Sequence, residues 1–166
     1  MTLQYRNATI EDLDTIVEIY NSIVPGRMVT ADTEPVTVQS RIKWFYEHDA
    51  EFRPLWMVIK DNETVGWLSF QSFYGRPAYR ETAEISIYLD EKIRGKGLGK
   101  IILRHAMDAC AKLGIKTLLG FIFRHNERSM KLFSDAGFES WGVFPRVAVL
   151  DGIERDLIIA GKRINQ

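Results

Sequence analysis

Arg94-Gly95-Lys96-Gly97-Leu98-Gly99 stands between an alternating apolar segment (Ile85, Ile87, Leu89) and a segment with apolar residues at helical spacing (Leu98, Ile101, Ile102, Ala106, Cys110, Leu113). Glycines at every second position let the chain turn and leave its amides uncovered. A strand, a glycine turn and a helix start, in that order, make a site for phosphate oxygens. The first amides of a helix lack internal partners, and the helix dipole is positive there. The run is not a P-loop, because Arg94 stands where the first glycine is required and Ile101 where Ser or Thr is required. Nor is it a dinucleotide fingerprint, because Lys100 takes the place of the last glycine. Read alone, these residues also fit a plain turn followed by a helix cap.

The bulk composition narrows the choice. The 166 residues suit one domain, 1–166, and 46% hydrophobic with 27% charged residues suits a soluble globular core. Lys plus Arg balances Asp plus Glu at 22 each, so no global basic field argues for nucleic acid or an anionic membrane. The single cysteine, Cys110, reads as a small core hydrophobe, and it excludes an intrachain disulfide. The first residues resemble neither a signal peptide nor a transmembrane segment, so a cytoplasmic location is the expectation.

Local signals give the element order. Residues 3–7 read as a strand. Thr9 caps a helix with Asp12 as its reciprocal partner, and Leu13, Ile16, Val17 and Tyr20 form its apolar face. Pro25 to Pro35 is a polar stretch, after which Thr37 caps a helix carrying Ile42, Trp44 and Phe45. Pro54–Lys60 and Thr64–Phe70 are strands about Asp61-Asn62-Glu63, and Gly75–Arg80 is a loop. Thr82–Leu89 leads into the glycine turn, and the following helix ends near Gly114. Lys116–Phe123 is a buried strand, and Asn126 caps a helix that closes at Gly137. Phe138–Leu150 and Ile153–Arg163 form a hairpin about Asp151-Gly152. The order β-α-α-β-β-β-α-β-α-β-β requires a mixed sheet, with the fourth and fifth strands parallel through a right-handed crossover.

Arg94-x-x-Gly97-x-Gly99 matches R-x-x-G-x-G, the pyrophosphate loop of the GNAT family of N-acetyltransferases, which bind acetyl-CoA. Asn126-x-x-Ser129-x-x-Leu132-Phe133-x-x-x-Gly137-Phe138 resembles that family's helix at the pantetheine end of the cofactor. Ile19-Tyr20-Asn21, Thr30, Glu34-Pro35, Arg41 and Trp44-Phe45 resemble the N-terminal half of the phosphinothricin N-acetyltransferase subfamily. Glu84-Ile85-Ser86-Ile87-Tyr88-Leu89 resembles its E-x-S-x-Y-[VI] strand. The resemblance covers nearly the whole chain. It implies an α/β, single-domain GNAT acyl-CoA N-acyltransferase fold: a mixed, mostly antiparallel sheet with splayed central parallel strands and flanking helices. It implies acetyl-CoA as co-substrate, and as acceptor a small amino acid or analogue of the phosphinothricin, methionine sulfoximine or methionine sulfone type. It further implies a homodimer through the C-terminal strands, where Phe138, Trp141, Val143 and Phe144 are apolar.

Carried onto this sequence, the cofactor-binding positions are Ile87, Tyr88, Leu89, Arg94, Gly95, Lys96, Gly97, Leu98, Gly99, Lys100, Asn126 and Ser129. Phe73, Tyr74, Arg76 and Arg80, with Glu84 and Ser86, form the substrate side. An Arg fork suits a carboxylate, so Arg76 is the first choice for it and Arg80 the second, with Arg146 a surface arginine able to reach the cleft. An amine attacks as its free base, and Glu84 is the candidate to deprotonate it. Alternation puts Glu84, Ser86 and Tyr88 on one strand face, which reads either as a cleft wall or as a solvent face. A backbone N–H in the splay would receive the thioester oxygen.

Phe133 departs from the wider family, in which a Tyr on that helix protonates the leaving thiolate. Tyr88, a water or no acid at all are the alternatives. His48 reads as a helix-end cation, His105 lies on the polar side of its helix, and His125 borders the cofactor cleft. No histidine pair has metal-ligand spacing, so no metal is expected. Trp44, Phe45, Trp56 and Trp67 read as core. Transfer in a ternary complex is favoured, since no placed nucleophile is visible. The rivals are a CoA-binding sensor or pseudoenzyme, and an acetyltransferase for protein N-termini or polyamines.

Overall fold

The computed structural model describes residues 2–164. Strands β1 (Gln4–Asn7), β2 (Leu55–Lys60), β3 (Glu63–Ser72), β4 (Thr82–Leu89), β5 (Thr117–Phe123), β6 (Glu139–Leu150) and β7 (Ile153–Arg163) form one sheet in the order β1-β2-β3-β4-β5-β7-β6. Helices α1 (Leu13–Ile23), α2 (Val38–Tyr46), α3 (Leu98–Ala109) and α4 (Glu127–Asp135) complete the fold. The element order agrees with that read from the sequence. All strand pairs are antiparallel except β4 with β5.

The local signals act as read, with instructive adjustments. Asp12 accepts from the Thr9 amide at 2.8 Å, but the turn it closes, Ile10–Asp12, is a 3-10 helix ahead of α1. The first hairpin turns on Asp61 and Asn62 alone, both left-handed, and Glu63 already belongs to β3. This is the two-residue turn whose twist matches that of its strands. Regular α3 ends at Ala109, earlier than expected. Tighter turns continue to Gly114 (φ 69°), where the Ile115 N–H returns to the Cys110 carbonyl at 2.9 Å. Gly137 closes α4 in the same way, with the Phe138 N–H on the Phe133 carbonyl at 3.0 Å.

Two cores flank the sheet. On one face α3 packs Leu98, Ile102, Leu103, Ala106 and Cys110 against Val58, Phe70, Ala83 and Ile85. On the other, α1 packs Leu13, Ile16, Val17 and Tyr20 against Met57 and Trp67, with α2 behind. The alternation of β4 thus divides the faces: Ala83 and Ile85 enter the α3 core, while Tyr88 packs with the α1 side. Ile101, placed with the apolar residues of its helix by spacing, is instead exposed. His105 is not on a polar face. Its ring stacks on Tyr5 with centroids 3.7 Å apart, and burial pushes its pKa down. At His48, just past α2, burial outweighs the favourable carbonyls of the helix end and lowers its pKa.

The feature that positions the site is a short ladder. β4 and β5 pair only from Thr82–Thr117 to Glu84–Leu119, after which they diverge. The Phe70 N–H bonds back to Pro54, ahead of β2, and the Asp90 N–H bonds to Val65. Glu84, Ser86 and Tyr88 therefore turn their peptide groups toward β3. Ile87 and Leu89 turn theirs into the gap, beyond the last rung to β5.

Candidate active site

A cleft of about 350 Å³ fills that gap. Its walls are β4 from Ile85 to Leu89 and β5 from Phe121 to Phe123. The glycine turn closes one end, and the start of α4 lies along it. Gly95 and Gly97 both adopt left-handed φ, 84° and 76°, and Gly97 caps α3. Amides bent in this way form a concave donor nest continuous with the α3 N-terminus. Arg94, Gly95, Gly97, Leu98, Gly99 and Lys100 line the cleft, whereas Lys96 is exposed outside it. Arg94 is held by Glu91 at 2.7 Å. A guanidinium that sequence reasoning passed over, Arg128, also lines the cleft. Its Nη2 lies 3.7 Å from where a Cβ on Gly95 would stand. The signal was available: it lies in the first turn of the helix that Asn126 caps.

Asn126 does two things at once. Its Oδ1 accepts from the Ser129 amide at 3.1 Å, capping α4, and its Nδ2 donates to the Met28 carbonyl at 3.2 Å. Beside it, His125 does not line the cleft, and its Nε2 lies 2.8 Å from the Arg27 carbonyl. Arg27 also pairs with Asp151 at 3.1 Å. The polar stretch after α1 is thereby strapped along the cleft, where Met28 and Val29 join its lining. Ser129 lines it too, and Phe133 packs at its base, where a Cβ on Gly120 would come within 2.6 Å of the ring.

On the α1 side of β4 lies a second cavity of about 160 Å³. It is bounded by Tyr20, Arg41, Trp44, Trp67 and the polar row Ser69, Gln71 and Ser86, among others. Ser86 and Tyr88 belong to both cavities, so the two meet across β4. Glu84 borders neither cavity: half-buried, it sits two register positions beyond Ser86, opposite Gln71 on β3 and at the last rung to β5. Burial raises its pKa above the ordinary carboxylate range. Burial also raises the Tyr88 pKa, with the nearby Tyr20 and Glu84 charges adding to the effect. Trp44 and Trp67, read as core, are also cavity walls.

The loop of Phe73, Tyr74, Arg76 and Arg80 borders neither cavity. Phe73, Tyr74 and Tyr79 form an aromatic cluster with Tyr74 largely exposed. The Arg80 guanidinium lies 4.5 Å over the Phe52 ring, and Arg76 is exposed. Arg146 pairs loosely with Glu154 on the outer hairpin. Cys110 is fully buried, its thiol pushed up to about 12 by burial, so it offers no nucleophile. Among the described residues no three His, Cys, Asp or Glu side chains converge as a metal site, and no helix is long and apolar enough to cross a membrane.

Comparison with known proteins agrees with this geometry. The family model described as Acetyltransferase (GNAT) family matches residues 14–138. YwnH of Bacillus subtilis (strain 168), which carries the provisional name phosphinothricin acetyltransferase, is 51% identical over 99% of this chain and 100% of its own. The L-methionine sulfoximine/L-methionine sulfone acetyltransferase of Pseudomonas aeruginosa PAO1 is 30% identical over 95% of this chain and 92% of its own. The crystal structure of a GNAT superfamily phosphinothricin acetyltransferase from Sinorhizobium meliloti in complex with acetyl-CoA superposes with a TM-score of 0.90. It is 27% identical, over 98% of this chain and 89% of that one.

Proposed function

This chain belongs to the Acetyltransferase (GNAT) family, and we propose that within it the protein transfers acetyl from acetyl-CoA to the amino group of a small amino acid or analogue. The observation that carries the reading is the early end of the β4–β5 ladder. It turns the amides of Ile87 and Leu89 into the gap, between an anion-binding turn and the half-buried Glu84 carboxylate. The left-handed turn at Gly95 and Gly97 fits a diphosphate, with Arg94, Lys100 and Arg128 supplying positive charge. Ile87, Tyr88, Leu89, Asn126 and Ser129 fit the pantetheine arm, for which Asn126 retains a second amide hydrogen. When bound, acetyl-CoA supplies the activated acyl group as a thioester.

Glu84 is the general base. A free α-amino group has a pKa of about 8, so a carboxylate whose pKa is raised by burial accepts its proton at a smaller energy gap. The amides of Ile87 and Leu89 face the position where negative charge grows on the acyl oxygen, and they need no reorganisation to stabilise it. Tyr88 keeps its phenolic proton and donates a hydrogen bond to the departing sulfur. A thiol with a pKa of about 8.5 can leave as thiolate, so Phe133 in place of a phenol does not block the reaction. With Cys110 buried, transfer is direct in a ternary complex.

Sequence similarity to the methionine sulfoximine and phosphinothricin enzymes supports the acceptor class. Arg41 on the second cavity opposes a polyamine, which requires an acidic site. The edge strand β6 exposes Trp141, Val143, Phe144, Val147 and Val149, and we infer that a second copy of the chain covers it. The test is release of free thiol from acetyl-CoA with a panel of amino acids, sulfones and polyamines. Turnover with amino-acid acceptors is expected. Tight CoA binding without turnover on any amine would establish the sensor instead.

A further inference from the structure

The segment between α1 and α2 is held from the end of β5 by two adjacent side chains. Asn126 Nδ2 donates to the Met28 carbonyl at 3.2 Å, and His125 takes the carbonyl one residue earlier, its Nε2 lying 2.8 Å from the Arg27 oxygen. A carbonyl only accepts, so Nε2 carries the ring proton. The other ring nitrogen, Nδ1, is buried without a hydrogen-bond partner among the described residues. Arg27 itself is left-handed, φ 55° and ψ 29°, a conformation that costs energy for any residue with a side chain. Its guanidinium reaches the Val24 carbonyl at 3.2 Å, the Thr33 carbonyl at 2.8 Å and Asp151 at 3.1 Å. Further along, Thr30 and Asp32 bond to the Tyr20 hydroxyl on α1. Both shoulders of the segment are thus fixed near α1, and His125 and Asn126 set where its middle lies. That middle is Met28 and Val29, which line the cofactor cleft. Met28 is 40% exposed, an apolar side chain standing open beside the gap between β4 and β5.

We propose that His125 is a positioning residue for the cofactor: by fixing the Arg27 carbonyl it holds Met28 and Val29 as an apolar cover for the pantetheine arm of coenzyme A. This rests on the transfer reading above and adds to it a wall brought in from 98 positions away. The arm is a run of methylene groups and amides, so it gains from an apolar cover as well as from hydrogen bonds. His125 acts through the segment it holds. Its own ring lies outside the cleft, tilted 31° to Phe123 with centroids 5.6 Å apart. The diphosphate nest at Gly95 and Gly97 belongs to the turn before α3, so the cover acts on the arm and leaves the nest as it is.

The experiment titrates wild type, His125→Phe, His125→Gln and Met28→Ala with two ligands by calorimetry. One is coenzyme A. The other is 3′-phosphoadenosine 5′-diphosphate, the fragment that keeps the diphosphate and lacks the arm. His125→Phe keeps a ring beside Phe123 and loses the donor, and is expected to weaken coenzyme A about 5–30-fold while the fragment stays within about twofold. Gln can donate from its side-chain amide, so His125→Gln should recover most of the loss. Met28→Ala, at an exposed side chain that the fold does not depend on, should weaken coenzyme A about 3–10-fold and leave the fragment alone. It decides the matter should His125→Phe not fold. In steady state the acetyl-CoA KM should rise in step with these losses, with kcat at saturation within about threefold of wild type. A residue that merely steadied the fold would lower the melting temperature and affect both ligands alike or neither. Either Phe or Ala variant binding coenzyme A as wild type does, or losing both ligands equally, therefore overturns the proposal while the transfer reading stands. A wild-type protein that binds no coenzyme A overturns both.

Discussion

Gly97→Ala tests the anion nest most directly, because its cost is confined to the backbone. Gly97 has φ 76° and ψ 7°, and a Cβ there would meet no atom within 4 Å. No packing clash enters, only the penalty of about 1–2 kcal/mol for holding an ordinary residue left-handed. Loss of glycine freedom in the unfolded chain returns about 0.4–1 kcal/mol, leaving a net cost of about 1 kcal/mol. The cost must appear in one of two places. If the turn keeps its shape in the free protein, the melting temperature falls by roughly 2–4 °C. If the turn relaxes, the nest must be rebuilt on binding, and affinity for coenzyme A drops about fivefold. In either case the protein saturated with coenzyme A is less stable than saturated wild type by the same amount. Gly97→Asn is the control, since Asn restricts the unfolded chain comparably and tolerates this conformation. Scanning calorimetry with and without coenzyme A, and isothermal titration, measure all the terms. Gly97→Ala matching wild type in both stability and affinity would refute the assignment of this turn as the diphosphate site.

Glu84→Gln should lower turnover by about 10²–10⁴-fold and abolish the acidic limb of the pH–rate profile, as read by thiol release. The same change should stabilise the protein. Burial raises the folded carboxyl above its unfolded value of about 4.3, so stability is lost as pH rises through that window and stays lower at neutral pH. Melting near pH 7.5 should therefore shift upward in Glu84→Gln. Asn126→Ala should cost about 0.5–2 kcal/mol from the lost cap, and it should also raise the acetyl-CoA KM, because the tie to Met28 goes with it. His48 and His105 both have pKa values lowered by burial. Their contribution is complete above about pH 6.5 and is lost as pH falls from there toward the folded values. Wild type should thus lose melting temperature on acidification more steeply than a His48→Asn, His105→Phe variant, in which the stack on Tyr5 is kept.

The readable parts of this chain were those in which cause and effect lie close in sequence. Thr37 receives the Ser40 amide three residues on, Asn126 receives that of Ser129, and Gly114 and Gly137 end their helices. The strand and helix order rests on these same short-range signals. His105 failed for the opposite reason: spacing gives it a polar face, but the Tyr5 and Trp56 rings against it come from elsewhere in the chain. His48 differs, because the Trp44 ring beside it lies four residues back on α2 itself. Trp44 and Trp67 were legible as buried, yet burial beside a cavity and burial inside a core give the same sequence pattern.

The sequence by itself determined the order of elements, the glycine turn that opens α3, and the face on which Glu84, Ser86 and Tyr88 stand, because each follows from backbone geometry over a few residues. Only the tertiary structure decided that β4 and β5 separate after Glu84 and Leu119, and that the stretch after α1 is tied to His125 and Asn126, 98 positions away. It likewise brought Arg41 to the wall of a cavity floored by β3 and β4. These are consequences of which surfaces close against one another, and residues far apart in sequence carry no local mark of the partner that folding gives them.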